Sequence, residues 1–115
     1  MKLYQTFRKK IPDSIVNTTL KNLPEYIIYE FYDDTRRDEY MKTQTNIIYN
    51  LFRRLPNQAH KTDLFRYCIL YEYGGIYLDA DSVITKPINK KIFEKDFIFL
   101  YDKDCKNIYN GFIFT

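Results

Sequence analysis

Tyr73-Gly74-Gly75-Ile76-Tyr77-Leu78-Asp79-Ala80-Asp81 is the stretch that decides the fold of this chain. Its apolar run predicts a short strand that delivers two aspartates at its end. Successive side chains alternate between the faces of a strand, so an extended backbone would aim Asp79 and Asp81 the same way. A bound divalent cation would relieve their mutual repulsion, and oxygen-only ligands suit Mg²⁺ or Mn²⁺. The alternative is a strand followed by an ordinary polar turn.

The segment before this stretch predicts one helix over residues 60–73. It is apolar nearly all round, which is typical of a helix buried on most sides. Asp63 and Arg66 are three residues apart, so they share one helical face. They are a candidate polar site, and the alternative is a structural ion pair. Gly74-Gly75 then ends the helix, because glycine adopts positive φ without a Cβ penalty.

The rest of the chain alternates between strand and helix patterns. Strands are predicted at 3–7, 26–32, 96–101 and 110–115, and helices after Pro12 and over 45–54. The continuous apolarity of 26–32 predicts burial on both faces, as in a parallel sheet. This order predicts an α/β layered domain. Ligands in such sheets lie outside the carboxyl ends of strands, where Phe7 and residues 79–81 fall.

Two segments together resemble a known family. Residues 60–67, His-Lys-Thr-Asp-Leu-Phe-Arg-Tyr, and residues 70–81 resemble the core signature of the sugar-binding glycosyltransferases with a DXD motif. This family includes yeast initiating mannosyltransferases and bacterial capsular sugar transferases, and it is related to the clostridial glucosylating toxins. Residues 3–7 and Asn110-Gly111-Phe112 agree more weakly. The resemblance implies a single GT-A-like (Rossmann-like) nucleotide-sugar-binding domain over residues 1–115, with a mostly parallel sheet flanked by helices.

The resemblance also implies roles for particular residues. Asp63 and Arg66 would bind the hydroxyls of the donor sugar. The metal candidates are Asp79 and Asp81, with Asp81 favoured as the direct ligand of Mn²⁺ or Mg²⁺. Contacts to ribose or sugar are expected from Asp79 and Ala80, and contacts to the base from Gln5, Thr6 and Phe7, with Phe7 stacking on it. No residue stands out as a nucleophile.

The implied activity is transfer of a sugar from a UDP- or GDP-sugar to a glycan, lipid or protein acceptor, with divalent-metal dependence and retained stereochemistry. Family members are considerably longer, so the chain is expected to be incomplete at its C-terminus. The alternative is therefore a catalytically deficient nucleotide-sugar or metal-binding fragment, or a subunit completed by another chain or a second copy. A haloacid-dehalogenase-type phosphatase ranks lower, because only 34 residues follow Asp81.

Composition sets further limits. The chain has 115 residues, 45% of them hydrophobic and 29% charged, which suits one small globular domain. The net charge of +3 is too small to favour nucleic-acid binding. Two cysteines, Cys68 and Cys105, are expected to be free thiols in a reducing compartment. With no signal-peptide or membrane-span pattern, the predicted location is the cytoplasm. The single histidine, His60, is expected at the surface.

Overall fold

The computed structural model describes residues 1–115 and contains five strands and four α-helices. In chain order they are β1 (Lys2–Thr6), α1 (Asp13–Lys21), β2 (Ile28–Tyr32), α2 (Asp34–Met41), α3 (Asn46–Arg54), α4 (Gln58–Tyr73), β3 (Ile76–Leu78), β4 (Ile98–Asp102) and β5 (Asn107–Phe114). A short 3₁₀ helix, Lys90–Glu94, precedes β4.

The five strands form one sheet in the order β2-β1-β3-β5-β4. β1 runs parallel to both β2 and β3, whereas β5 runs antiparallel to both β3 and β4. The α/β class is confirmed, but the expectation of a mostly parallel sheet is wrong. A short connection joins β4 to β5, and strands joined as a hairpin are necessarily antiparallel. The sheet is therefore mixed.

Local capping chemistry explains where the helices begin and end. The side chains of Asp33, Thr45 and Asn57 accept hydrogen bonds from backbone N–H groups in the first turns of α2, α3 and α4. Each satisfies a donor that the helix itself cannot. Gly74, with φ of 64°, ends α4. The predicted helix over 60–73 is thus confirmed, with its start two residues earlier.

Side-chain alternation along the central strands divides the core between the two faces of the sheet. On one face Tyr4, Tyr77 and Ile113 pack with residues of α2, α3 and α4, including Met41, Phe52 and Phe65. Their neighbours Leu3, Ile76, Leu78, Phe112 and Phe114 pack on the other face against Leu23 and Ile27. The period of two is that of a pleated strand. The three central strands are therefore covered on both faces.

Burial departs from the sequence expectations at the periphery. β2 lies at an edge of the sheet, and its Ile28 is 59% exposed, so the prediction of burial on both faces is wrong. Helix α4 buries only part of its surface, since Tyr71 is 95% exposed. None of the helices combines the length and the apolar character needed to cross a bilayer.

Candidate functional site

A cavity of about 570 Å³ opens where β1 and β3 end. Parallel strands place their carboxyl ends at the same edge of a sheet, and this edge is where α/β folds bind ligands. The strand ends contribute Thr6, Phe7, Arg8, Tyr77, Asp79, Ala80 and Asp81. The helices contribute Asp34, Arg37, Gln58, Ala59, Thr62, Asp63 and Arg66, and β5 contributes Asn110. Six of the seven sequence-predicted substrate-binding residues and both metal candidates therefore line one cavity.

The two aspartates of the motif do not sit on a continuous strand. β3 ends at Leu78, and Ala80 and Asp81 lie in a turn. The backbone N–H of Ser82 donates to the carbonyl of Asp79 at 3.0 Å and closes that turn. The expectation of an extended backbone through both aspartates is wrong, because the strand ends at Leu78, before Asp79. Both nevertheless face the cavity.

The Asp79 carboxylate is held by neighbouring side chains. Arg66 Nη2 lies 3.1 Å from Asp79 Oδ1, and the Tyr77 hydroxyl donates to the same oxygen at 3.2 Å. The Tyr109 hydroxyl donates to Oδ2 at 3.4 Å. Burial raises the pKa of Tyr77 well above its usual value, so its hydroxyl stays a neutral donor. Asp79 is therefore oriented before any ligand enters.

A glycine makes this arrangement possible. A Cβ on Gly111 would overlap the Tyr109 hydroxyl and the Asp79 carboxylate. The backbone of β5 therefore has to pass this point without a side chain. The same residue fixes Asp79 from the other side, since the Asp79 N–H donates to the Gly111 carbonyl at 2.7 Å.

Arg66 joins helix α4 to the ends of β3 and β5. Arg66 is 4% exposed, and its Nη2 lies 3.1 Å from both Asp79 Oδ1 and Asp63 Oδ1. Nη1 donates to the carbonyl of Asn110, and the guanidinium lies 4.4 Å from the centre of the Tyr77 ring. The structural ion pair considered from the sequence is thus present. It also lines the cavity, so it does not exclude contact with a ligand.

Two buried polar atoms next to the cavity lack partners. Arg66 Nε and Thr6 Oγ1 are buried and make no hydrogen bond within the chain. Unpaired buried polar groups are rare and costly, and an incoming ligand is one explanation for them. Both residues line the cavity. An ordered water or a polar group of a ligand at the strand ends would satisfy them.

Asp81 differs from Asp79 in having no partner. Its side chain is exposed to the cavity and makes no hydrogen bond or ion pair with the rest of the chain. Magnesium is commonly bound by one or two carboxylates together with substrate phosphates, so a single free carboxylate at this position fits a divalent cation. No group of three or more potential protein ligands forms anywhere in the chain.

The three residues at the end of β1 occupy different positions. Gln5 is 2% exposed and does not line the cavity, and its amide donates to the Asp79 carbonyl at 3.2 Å. This hydrogen bond holds the turn that starts at Asp79. Thr6 lines the cavity, and its buried hydroxyl has no partner within the chain. Phe7 is 43% exposed, with Arg8 5.8 Å from the centre of its ring, so its face is accessible to a stacking group.

Sequence reasoning missed a second polar group at this cavity. Arg37 of α2 is 2% exposed, and it contacts Asp34, Gln58 and Thr62, which line the cavity with it. The only available signal was the i, i+4 spacing of Gln58 and Thr62, which places both on one face of α4.

Comparison with known proteins agrees with this geometry. Residues 1–98 match the family model described as "Glycosyltransferase sugar-binding region containing DXD motif". The chain is 29% identical over 98 residues to the initiation-specific alpha-1,6-mannosyltransferase of Candida albicans, covering 85% of this chain and 23% of that protein. It is 29% identical over 85 residues to inositol phosphoceramide mannosyltransferase 1 of Schizosaccharomyces pombe, covering 72% of this chain and 27% of that protein.

A viral protein is also similar. The uncharacterized glycosyltransferase L373 of Acanthamoeba polyphaga mimivirus is 32% identical over 85 residues, covering 73% of this chain and 33% of that protein. No solved structure gives a significant match. The chain thus spans between 23% and 33% of the length of these relatives. The family match covers 85% of the chain's length and includes the Asp63/Arg66 helix and the Asp79/Asp81 motif, so this chain belongs to the glycosyltransferases whose sugar-binding region contains the DXD motif.

Proposed function

We propose that this chain forms the donor-binding part of a divalent-metal-dependent glycosyltransferase with a GT-A-like fold. The donor would be a nucleotide sugar, and the acceptor a hydroxyl of a glycan, lipid or protein. One observation carries the proposal: the cavity at the strand ends combines a fixed Asp79/Arg66 pair with an unpartnered Asp81 carboxylate. Family membership supports the reaction class.

In the proposed reaction the bond between the anomeric carbon and the diphosphate oxygen breaks. A bond forms between that carbon and the acceptor oxygen, whose proton is released, and the nucleoside diphosphate leaves. A divalent cation, when bound, would neutralise the charge that develops on the diphosphate. Asp81 would hold the cation, because its oxygens are free. We further propose retention of anomeric configuration, on the family resemblance alone.

The chain's own residues would bind and orient the donor. The Asp63 carboxylate accepts hydrogen bonds and the Arg66 guanidinium donates them, a combination that suits a sugar with several hydroxyls. Arg66 Nε is buried and has no partner within the chain. Asp79 is held by Arg66 and two tyrosines, and this arrangement keeps its carboxylate fixed toward the cavity. Fixed donors and acceptors lower the cost of binding.

The test is isothermal calorimetry and thermal unfolding with UDP- and GDP-sugars, with and without Mn²⁺. A donor present at 100 times its Kd should add about 2.7 kcal/mol to the free energy of unfolding. We expect binding only with metal, and loss of binding in Asp81→Asn. Asp104→Asn is the matched control, because Asp104 is exposed in the turn between β4 and β5, away from the cavity lining.

A second readout separates transfer from binding alone. Release of nucleoside diphosphate in the presence of glycan, lipid or protein acceptors would support the enzyme, and product stereochemistry by NMR would test retention. Donor binding without release would favour the alternative of a nucleotide-sugar-binding subunit. A folded protein that binds no nucleotide sugar with Mn²⁺ would overturn the proposal. The cytoplasmic location stays a prediction.

A further inference from the structure

The end of the cavity remote from Asp79 is organised by one buried arginine. Arg37 Nη2 donates to Gln58 Oε1 at 2.5 Å, and Nη1 donates to Thr62 Oγ1 at 3.4 Å. Nε and Nη2 both donate to Asp38 Oδ1 at 3.1 Å, and Nη1 lies 3.5 Å from Asp34 Oδ1. Arg37 is 2% exposed, so its guanidinium is enclosed by these partners and by the core. It is a positioning residue for the side chains around it.

These contacts determine what the neighbours present to the cavity. Arginine has donors and no acceptor, so the atom of Gln58 that faces it must be the amide oxygen. The Gln58 amide nitrogen is then free to donate, and no other side chain or carbonyl takes it. The Asp34 side chain is 43% exposed, and only its Oδ1 approaches Arg37, at 3.5 Å. Each carboxylate oxygen has two lone pairs, so Oδ1 and the unpartnered Oδ2 can both still accept hydrogen bonds. Both residues line the cavity, as one donor and one negatively charged acceptor.

Helix α4 sets the distance between Gln58 and the proposed sugar-binding residue Arg66. Gln58 and Arg66 are eight residues apart on one helix, and a rise of 1.5 Å per residue separates them by about 12 Å. Arg66 contacts Asp79, whereas Gln58 contacts Arg37. If a nucleotide sugar binds with its sugar at Arg66 and its diphosphate near Asp81, its base would lie at the end of the cavity near Gln58. The exposed ring of Phe7 lines the same cavity.

We propose that Asp34 and Gln58, fixed by Arg37, recognise the nucleobase and select guanine over uracil. This inference rests on the proposed function. Guanine presents two neighbouring donors, N1–H and the 2-amino group, which one carboxylate accepts, and an O6 acceptor for the Gln58 amide. Uracil presents a single N–H between two carbonyl oxygens, and those oxygens would face the negative charge of Asp34. A site built to pair such groups rejects a ligand that leaves them unpaired.

The test is calorimetry with GDP, IDP, UDP and XDP in the presence of Mn²⁺. IDP lacks the 2-amino group, so we expect the unaltered chain to bind GDP about tenfold or more tightly than IDP or UDP, since a hydrogen bond to a charged group contributes about 1.5–3 kcal/mol. Asp34→Asn should weaken GDP binding by a similar factor and strengthen XDP binding, because an amide pairs with the N1–H and 2-oxo groups of xanthine. Glu39→Gln, an exposed change on the same helix, should alter neither.

Arg37→Lys tests the positioning role. Lysine keeps the charge but loses the planar fork that holds Gln58, so the preference for GDP over UDP should fall while UDP affinity stays the same. A purely structural role would weaken both nucleotides equally and would count against the proposal. Equal binding of UDP and GDP by the unaltered chain, or unchanged GDP binding in Asp34→Asn, would overturn the inference and leave the proposed function intact. Absence of binding by every nucleotide would overturn both.

Discussion

Replacing Arg66 with methionine should destabilise the fold by about 3 kcal/mol. The largest loss is the charged hydrogen bond to the Asn110 carbonyl, since such bonds contribute about 1.5–3 kcal/mol. The ion pairs to Asp79 and Asp63 add less than about 1 kcal/mol each, because these carboxylate side chains are 26% and 42% exposed and are screened by water. Methionine keeps the apolar stem in place, so the change does not open a large cavity.

The measurement is urea unfolding followed by circular dichroism at pH 7. A loss of about 3 kcal/mol should lower the urea midpoint without changing the m-value, and should lower Tm by about 10 °C for a domain of this size. The matched control is Arg53→Met near the exposed end of α3, which should stay within about 0.5 kcal/mol of the unaltered chain. A midpoint for Arg66→Met equal to that of the control would refute the reasoning.

A third variant tests how the energy divides among the partners of Arg66. Asp63→Asn removes one ion pair and leaves the Asn110 and Asp79 contacts in place. It should cost less than about 1 kcal/mol, because Asp63 is the more exposed partner. A loss as large as that of Arg66→Met would contradict the assignment of most of the energy to the buried hydrogen bond.

Three further predictions use the same unfolding assays. Gly111→Ala should cost about 1–3 kcal/mol, because its Cβ overlaps the Asp79 carboxylate, and unchanged stability would show that β5 shifts freely. Asn57→Ala should cost about 1 kcal/mol through the lost cap on the His60 N–H, whereas Asn57→Asp should retain it, and equal losses would contradict a capping role. Burial raises the pKa of Tyr4 to about 12 from 10.0. The stability that the neutral Tyr4 hydroxyl contributes is therefore present below pH 10 and lost as pH rises toward 12. Tyr4→Phe should make the urea midpoint depend less steeply on pH in that range, and an unchanged slope would count against this account.

Elements defined by local chemistry were predictable from the sequence. The end of helix α4 was predicted from Gly74, which takes a positive φ, whereas its start was placed two residues late because the Asn57 cap was not recognised. The Asp63/Arg66 face followed from helical spacing alone. The meeting of this face with Asp79 needed the family resemblance, because spacing does not fix how a helix packs on a sheet. The structure then placed the two at 3.1 Å through Arg66.

Features that depend on neighbours in space were not predictable. The apolar residues of β2 suggested a buried strand, but their exposure follows from the position of β2 at the sheet edge. Arg36 and Arg37 are adjacent and chemically identical, yet their side chains are 50% and 2% exposed. A rotation of about 100° per residue turns one toward solvent and the other toward α4. Which of the two became buried depended on the packing of α2, and no local pattern carries that information.

The two motif aspartates differ because their neighbours differ. Both carboxylate oxygens of Asp79 have partners in Arg66, Tyr77 and Tyr109, so its charge is compensated without a cation. Asp81 has no such compensation and stands at the cavity surface. In the proposed site a cation would gain more by binding Asp81, since binding Asp79 would compete with an existing ion pair. The spacing of two carboxylates in a sequence suggests two equivalent groups, but the fold fixes Asp79 in the cavity wall and leaves Asp81 without a partner in the chain.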